Sequence, residues 1–151
     1  MTYIGYILFG LLAAVLALML YVRLAPLNPG AWHETGVPMM EPGQYPASRS
    51  YIDQRRLDGD GTATLARLDA IIRNTPRTQA IAGSVESGKV TYVTRSAVWG
   101  FPDYTTVTLM QSPDGASSTL QVYGRARFGK ADMGVNQARI EGWMAQLDAA
   151  R

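Results

Sequence analysis

The sequence predicts an α+β chain: a single N-terminal transmembrane helix followed by a two-layer domain, a four-stranded antiparallel meander with two packed helices. Three observations predict it. No charged side chain precedes Arg23, and five of the eight prolines lie between Pro26 and Pro46. From Thr62 onward a helical period gives way to strand alternation and then returns. The 151 residues therefore divide into an anchor (1–25), a Pro/Gly-rich arm or linker (26–48) and a small α+β domain (49–151).

Tyr3 to Val22 is an uncharged run of twenty residues rich in Leu, Ile, Ala and Val. At about 1.5 Å per residue it spans about 30 Å, the thickness of a bilayer's hydrocarbon core. Tyr3, Tyr6 and Tyr21 stand near its ends, where amphipathic rings prefer the headgroup level, and Arg23 can reach the surface. A cleaved signal peptide fits less well, because the segment before the run has no Lys or Arg and no small-x-small cleavage site follows. Gly10 and Ala14 have the spacing that lets two helix backbones approach closely in lipid, so they are candidate partner contacts. The charge balance across the span is nearly a tie. Residues 24–48 carry no Lys or Arg, which favours an extracytoplasmic domain.

The proline-rich arm should be extended or turn-like, since proline fixes φ and removes a donor. It is either a tether or an arm laid over a neighbouring surface. Trp32, Met39, Met40 and Tyr45 favour the second, because large side chains of this kind seek burial, and Trp32, Met39 and Met40 join Gly10 and Ala14 as candidate contacts. His33 sits inside the arm, where an exposed or capping histidine is the ordinary case.

In the domain, Leu65, Leu68, Ile71 and Ile72 mark one face of a helix over Thr62 to Asn74, with Asp60 or Thr62 to cap it and Pro76 to end it. Four strand-like runs follow: Gln79 to Val85, Lys89 to Ser96, Tyr104 to Ser112 and Ser117 to Phe128. The turns between them, Glu86-Ser87-Gly88, Gly100-Phe101-Pro102-Asp103 and Pro113-Asp114-Gly115, are short and predict antiparallel neighbours. A last helix over Val135 to Ala149 places Ile140, Trp143, Met144 and Leu147 on one face.

Composition removes several classes of function. The chain has no cysteine and one histidine, which excludes disulfide scaffolds and Cys-based metal sites and disfavours Ser-His-Asp chemistry. A net charge of +2, with arginine and acids interleaved, disfavours nucleic acid. Gly83 to Lys89 and Gly124 to Lys130 both fit G-x-x-x-x-G-K, but Val90 and Ala131 follow where a hydroxyl would hold magnesium. Asp58-Gly-Asp-Gly61 opens like a calcium loop, yet Ala63 and Asp69 stand where glycine and glutamate are needed. The sequence supplies no metal site and calls for no cofactor.

The densest polar stretch runs from Tyr123 to Arg139. Arg125 and Arg127 share one strand face, Gly129 and Gly134 bracket a loop, and Asn136 and Arg139 lie one turn apart on the last helix. The string R-x-R-x-G-x-x-D-x-G-x-N-x-x-R from Arg125, with Gly100-Phe101-Pro102-Asp103 and Tyr92-x-x-Arg95 upstream, resembles domain-of-unknown-function family 1499 over roughly Thr75 to Leu147. That family occurs in bacteria and plant plastids, often behind membrane-spanning segments, and has no established activity; the resemblance implies a single-pass protein of a bacterial inner membrane. It commonly has serine where Gly124 stands and a second acid where Tyr104 follows Asp103.

Two readings of this corner stand side by side. In the structural one, Arg127 or Arg139 pairs with Asp103 or Asp132 and staples strand, loop and helix. In the functional one, Arg95, Arg125, Arg127, Lys130, Asn136 and Arg139 form an anion site. The expected function is that of a membrane-anchored, non-catalytic accessory or assembly subunit, acting by protein-protein contact in a membrane complex. The alternative is a membrane-tethered binding module for a small anionic or amphipathic, lipid-like ligand, and an enzyme ranks third. The expected partners are membrane lipid and another membrane protein or complex, with a small anion in the alternative reading.

Overall fold

A computed structural model describes residues 2–35, 40–129 and 133–150. An apolar helix α1 (Thr2–Leu24) leads to a short helix α2 (Pro29–Glu34). Then come β1 (Gly43–Tyr45), a 3-10 turn (Pro46–Ser48), β2 (Ser50–Asp58), α3 (Thr62–Arg73), β3 (Thr78–Ser84), β4 (Lys89–Arg95), β5 (Pro102–Gln111), β6 (Ser117–Ala126) and α4 (Val135–Ala149). The helix α1 is long and apolar enough to cross a bilayer.

The four expected strands and two expected helices form, but among the described residues the sheet has six strands, ordered β1-β2-β6-β5-β4-β3 and antiparallel throughout. The two extra strands correct the four-stranded expectation. Strand β2 pairs with β6 from Ser50↔Arg125 to Asp58↔Ser117, so the meander's end strand becomes an interior one. Its alternation is masked in sequence because Asp53 and Arg55 occupy the helix-facing positions between Tyr51 and Leu57. Arg55 is accommodated there by ion pairs with Asp148 and Asp53.

The arm is also more regular than its prolines suggest. Pro29 opens α2 at its first position, where the missing N–H has no helical acceptor to lose. Pro102 opens β5, an allowed position for proline in a sheet.

One face of the sheet carries the main core. Leu65, Leu68 and Ile72 of α3 and Ile140, Trp143, Met144 and Leu147 of α4 pack on Tyr51, Leu57, Val90, Tyr92, Val107, Leu120 and Val122. Gly124 lets α4 approach: a Cβ there would lie 2.8 Å from Ile140 Cδ1 and 3.1 Å from Asn136 Cβ. Gly124→Ala is expected to cost about 1–3 kcal/mol by overpacking, read as a lower denaturation midpoint of the full chain in detergent.

The opposite face, which a two-layer domain would leave to solvent, is buried as well. Ser50, Ile52, Thr91, Val93, Tyr104, Thr106, Gln121 and Arg125 are all buried. The helix α2 lies across this face, with Trp32 stacked on Tyr104 at 3.9 Å between ring centroids and 6° between planes.

Candidate functional site

Strand alternation sends neighbouring residues to opposite faces, and this divides the expected anion corner. On the helix face, Arg139 donates to Asp103 Oδ2 and to Asn136 Oδ1, both at 3.0 Å. Asn136 is fully buried at the start of α4, beneath Gly124. Arg125 points the other way. Its Nη2 donates to the Trp32 carbonyl at 2.9 Å and to Thr106 Oγ1 at 2.6 Å, and its guanidinium carbon lies 4.6 Å from the Tyr123 ring centroid and 5.2 Å from that of Trp32. Arg125 Nε is buried without a partner. Burial lowers the Arg125 pKa from the ordinary arginine value, partly offset by Tyr123, but an arginine stays charged under protein conditions.

Arg127 donates to the Pro26 carbonyl at 2.6 Å, and the Tyr104 hydroxyl donates to the Leu27 carbonyl at 3.0 Å. Arg125, Arg127 and Tyr104 thus grip the backbone of residues 26–32, directly after α1. At the helix exit Val22 and Ala25 are buried, and Arg23 donates to the Val98 carbonyl at 2.9 Å.

Arg95 occupies a third place. It donates to the Gly100 carbonyl at 2.9 Å and lines a cavity of about 310 Å³ with Arg23 and Arg77. Sequence reasoning named Arg95 and missed the other two, which lie far apart in the chain and share no motif. Among the candidate partner contacts, Trp32 is taken up inside the chain, Gly10 and Ala14 lie on the exposed α1, and Met40 is partly exposed. Met39, Lys130 and Asp132 lie outside the described residues.

His33, on α2, ends a polar chain that runs across the α2-covered face of the sheet. Its Nδ1 is 3.0 Å from Thr91 Oγ1, which is 3.0 Å from Thr106 Oγ1, the acceptor for Arg125. One direction gives every hydroxyl proton in this chain an acceptor. Arg125 donates to Thr106, Thr106 to Thr91, and Thr91 to Nδ1 of a neutral His33.

Burial, then the Lys89 charge, lower the His33 pKa from 6.5, with Glu34 opposing. The folded pKa being the lower one, the unfolded chain takes up the proton first. The stabilisation is complete above 6.5 and is lost as pH falls through the folded value. Thermal midpoints measured between about pH 8 and pH 5 should therefore fall with acid in the wild type. In His33→Asn they should fall less.

Two other features carry structural roles. Asp53 has its pKa raised by burial against the lowering charge of Arg55, and Arg55 in turn ties β2 to Asp148 of α4. A cavity of about 430 Å³ between α3 and α4 is lined by Asn74, Thr75, Trp143 and Arg139, and the charge of Arg139 is already met by Asp103.

Residues 28–147 match the model of a family described as a protein of unknown function, DUF1499. No curated protein matches the chain. Among solved structures, the chain is similar to protein MLL2253 from Mesorhizobium loti at 11% identity and TM-score 0.49, over 67% of this chain and 95% of that one. It is also similar to the protein XoxI from Bacillus cereus at 10% identity and TM-score 0.47, over 67% and 94%.

Proposed function

Because the chain belongs to DUF1499, a family whose description carries no activity, we propose a role from its geometry: a membrane-anchored, non-catalytic module that acts by contact at the bilayer surface as an accessory subunit of a membrane assembly. One observation carries this reading. The segment after α1 is gripped by the domain at Arg23, Pro26, Leu27 and Trp32, so the domain has a set pose on its anchor. A contact role needs such a pose, because a partner in the same membrane must meet the same surface each time. The exposed sides of Gly10 and Ala14 leave α1 open to a second helix.

Extraction of the full chain in mild detergent tests the reading. The wild type should migrate with an enriched membrane partner. Arg127→Gln combined with Tyr104→Phe should stay in the membrane fraction and lose that partner. A wild-type chain that runs as a monomer and enriches nothing removes the contact role.

The second reading, a tethered binding module for a small anionic or amphipathic ligand, is favoured by the arginine-lined cavity at Arg95.

A further inference from the structure

We propose that the cavity lined by Arg23, Arg77 and Arg95 binds a phosphate group at the height of the lipid headgroups. The proposal rests on the ligand-binding reading and names the chemistry of the ligand. The three guanidinium groups come from separate segments: the last turn of α1, the turn before β3, and the end of β4. Each is oriented by a backbone carbonyl. Arg23 donates to Val98 at 2.9 Å, Arg77 Nε to Arg95 at 3.2 Å, and Arg95 to Gly100 at 2.9 Å.

Each guanidinium has five N–H donors, so these bonds fix direction and leave donors over. Among the described residues none of the three forms an ion pair with a carboxylate, and the cavity lining contains no acid. Arg23 and Arg77 are exposed and Arg95 is half-buried, so an entering anion can reach all three. Arginine forks match the oxygens of phosphate in pairs. On the remaining polar wall, Ser96 accepts from the Phe101 N–H at 3.0 Å and keeps its own hydroxyl proton, and Gln79 adds an amide donor.

Two backbone features hold this arrangement. Arg77 has φ +59°, a left-handed conformation that an L-residue adopts at a cost. Gly100, at φ +74°, leaves room for the Arg23 stem, since a Cβ there would lie 2.8 Å from Arg23 Cγ.

The height follows from α1. Arg23 comes directly after the apolar run, and the loop that receives it exposes Val98 and Trp99, side chains suited to the interface. At about 310 Å³ the cavity is at the small end of the usual range for small-ligand sites, roughly 300–1,000 Å³. That suits a headgroup or a small phosphorylated molecule.

Two arms distinguish these sources, both on the full chain in neutral detergent. In the first, phosphatidylglycerol and phosphatidylcholine are offered together and the retained lipid is measured by native mass spectrometry. Phosphatidylglycerol should be retained over phosphatidylcholine, and R77Q/R95Q should retain roughly tenfold less of it or lower still. In the second, inorganic phosphate should raise the melting temperature of the wild type and not of R77Q/R95Q.

Arginine-dependent retention of the lipid assigns a headgroup, and an arginine-dependent response to inorganic phosphate alone assigns a soluble phosphate; either supports the site. R67Q removes an exposed α3 charge that does not line the cavity, and it should match the wild type. R77K/R95K keeps the charge without the fork and guards against a folding defect: weaker binding at an unchanged melting temperature supports the site. Binding equal to the wild type in both double variants overturns the cavity assignment while ligand binding survives. A wild type that responds to neither probe overturns both.

Discussion

Truncating Trp143 to alanine is expected to lower the stability of the domain by about 3–5 kcal/mol. Trp143 is 2% exposed and packs within the helix-face core, so its removal opens a void that the neighbouring Ile72, Met144 and Leu147 cannot fill from their own elements. Its indole N–H donates to Thr75 Oγ1 at 2.8 Å, across the interface from α4 to the end of α3. The loss therefore combines packing with one hydrogen bond, while the Thr75 hydroxyl keeps its own donation to the Ile71 carbonyl at 3.1 Å. Thr75→Val separates the two, since it keeps the indole packing and removes the hydroxyl's bonds to Trp143 and to the Ile71 carbonyl, and it should cost about 1–3 kcal/mol. Denaturant titration of the full chain in detergent measures both. Folded domains hold only about 5–15 kcal/mol in total, so the alanine variant should be partly unfolded on warming. A Trp143→Ala chain that melts like the wild type would mean that α4 is not seated on the sheet.

Asp103→Ala should be the second large loss, about 2–4 kcal/mol. The Asp103 and Arg139 side chains are 13% and 14% exposed and meet at 3.0 Å. Removing the acid leaves a guanidinium that is mostly desolvated, with Asn136 Oδ1 as its remaining described acceptor. Deleting both charges is a different experiment. Asp103→Leu with Arg139→Met should recover much of the loss, because a buried ion pair barely exceeds its own desolvation cost. Failure to recover would mean that Asp103 and Arg139 stabilise the fold through contacts other than their pairing.

These two sites also show what sequence could reveal. The α4 face around Trp143 was legible because helical spacing puts Ile140, Trp143, Met144 and Leu147 together whatever lies opposite. The α3 helix and the four meander strands were legible for the same local reason. Strand β2 was not, because the acid and arginine at positions 53 and 55 face the helices, where Arg55 pairs with Asp53 and with Asp148 nearly a hundred residues later. The short α2 hid behind prolines that usually mark irregular chain.

The arginine string misled in a physical way. It is contiguous in sequence, but period-two alternation turns Arg125 away from the helix face where Arg139 sits. The cavity at Arg95 left the opposite trace: Arg23, Arg77 and Arg95 meet only through tertiary packing, and no window of sequence contains all three.

The grip on residues 23–32 has a mechanical consequence. A spanning helix answers a change in hydrocarbon thickness by tilting, at a modest cost per ångström of mismatch. Here the exit of α1 is held by the domain through Arg127, Tyr104 and Arg125. Tilt of a spanning α1 is therefore not independent of the sheet. A thicker or thinner bilayer must either rotate the domain as a lever arm or open those contacts in order, beginning next to the lipid.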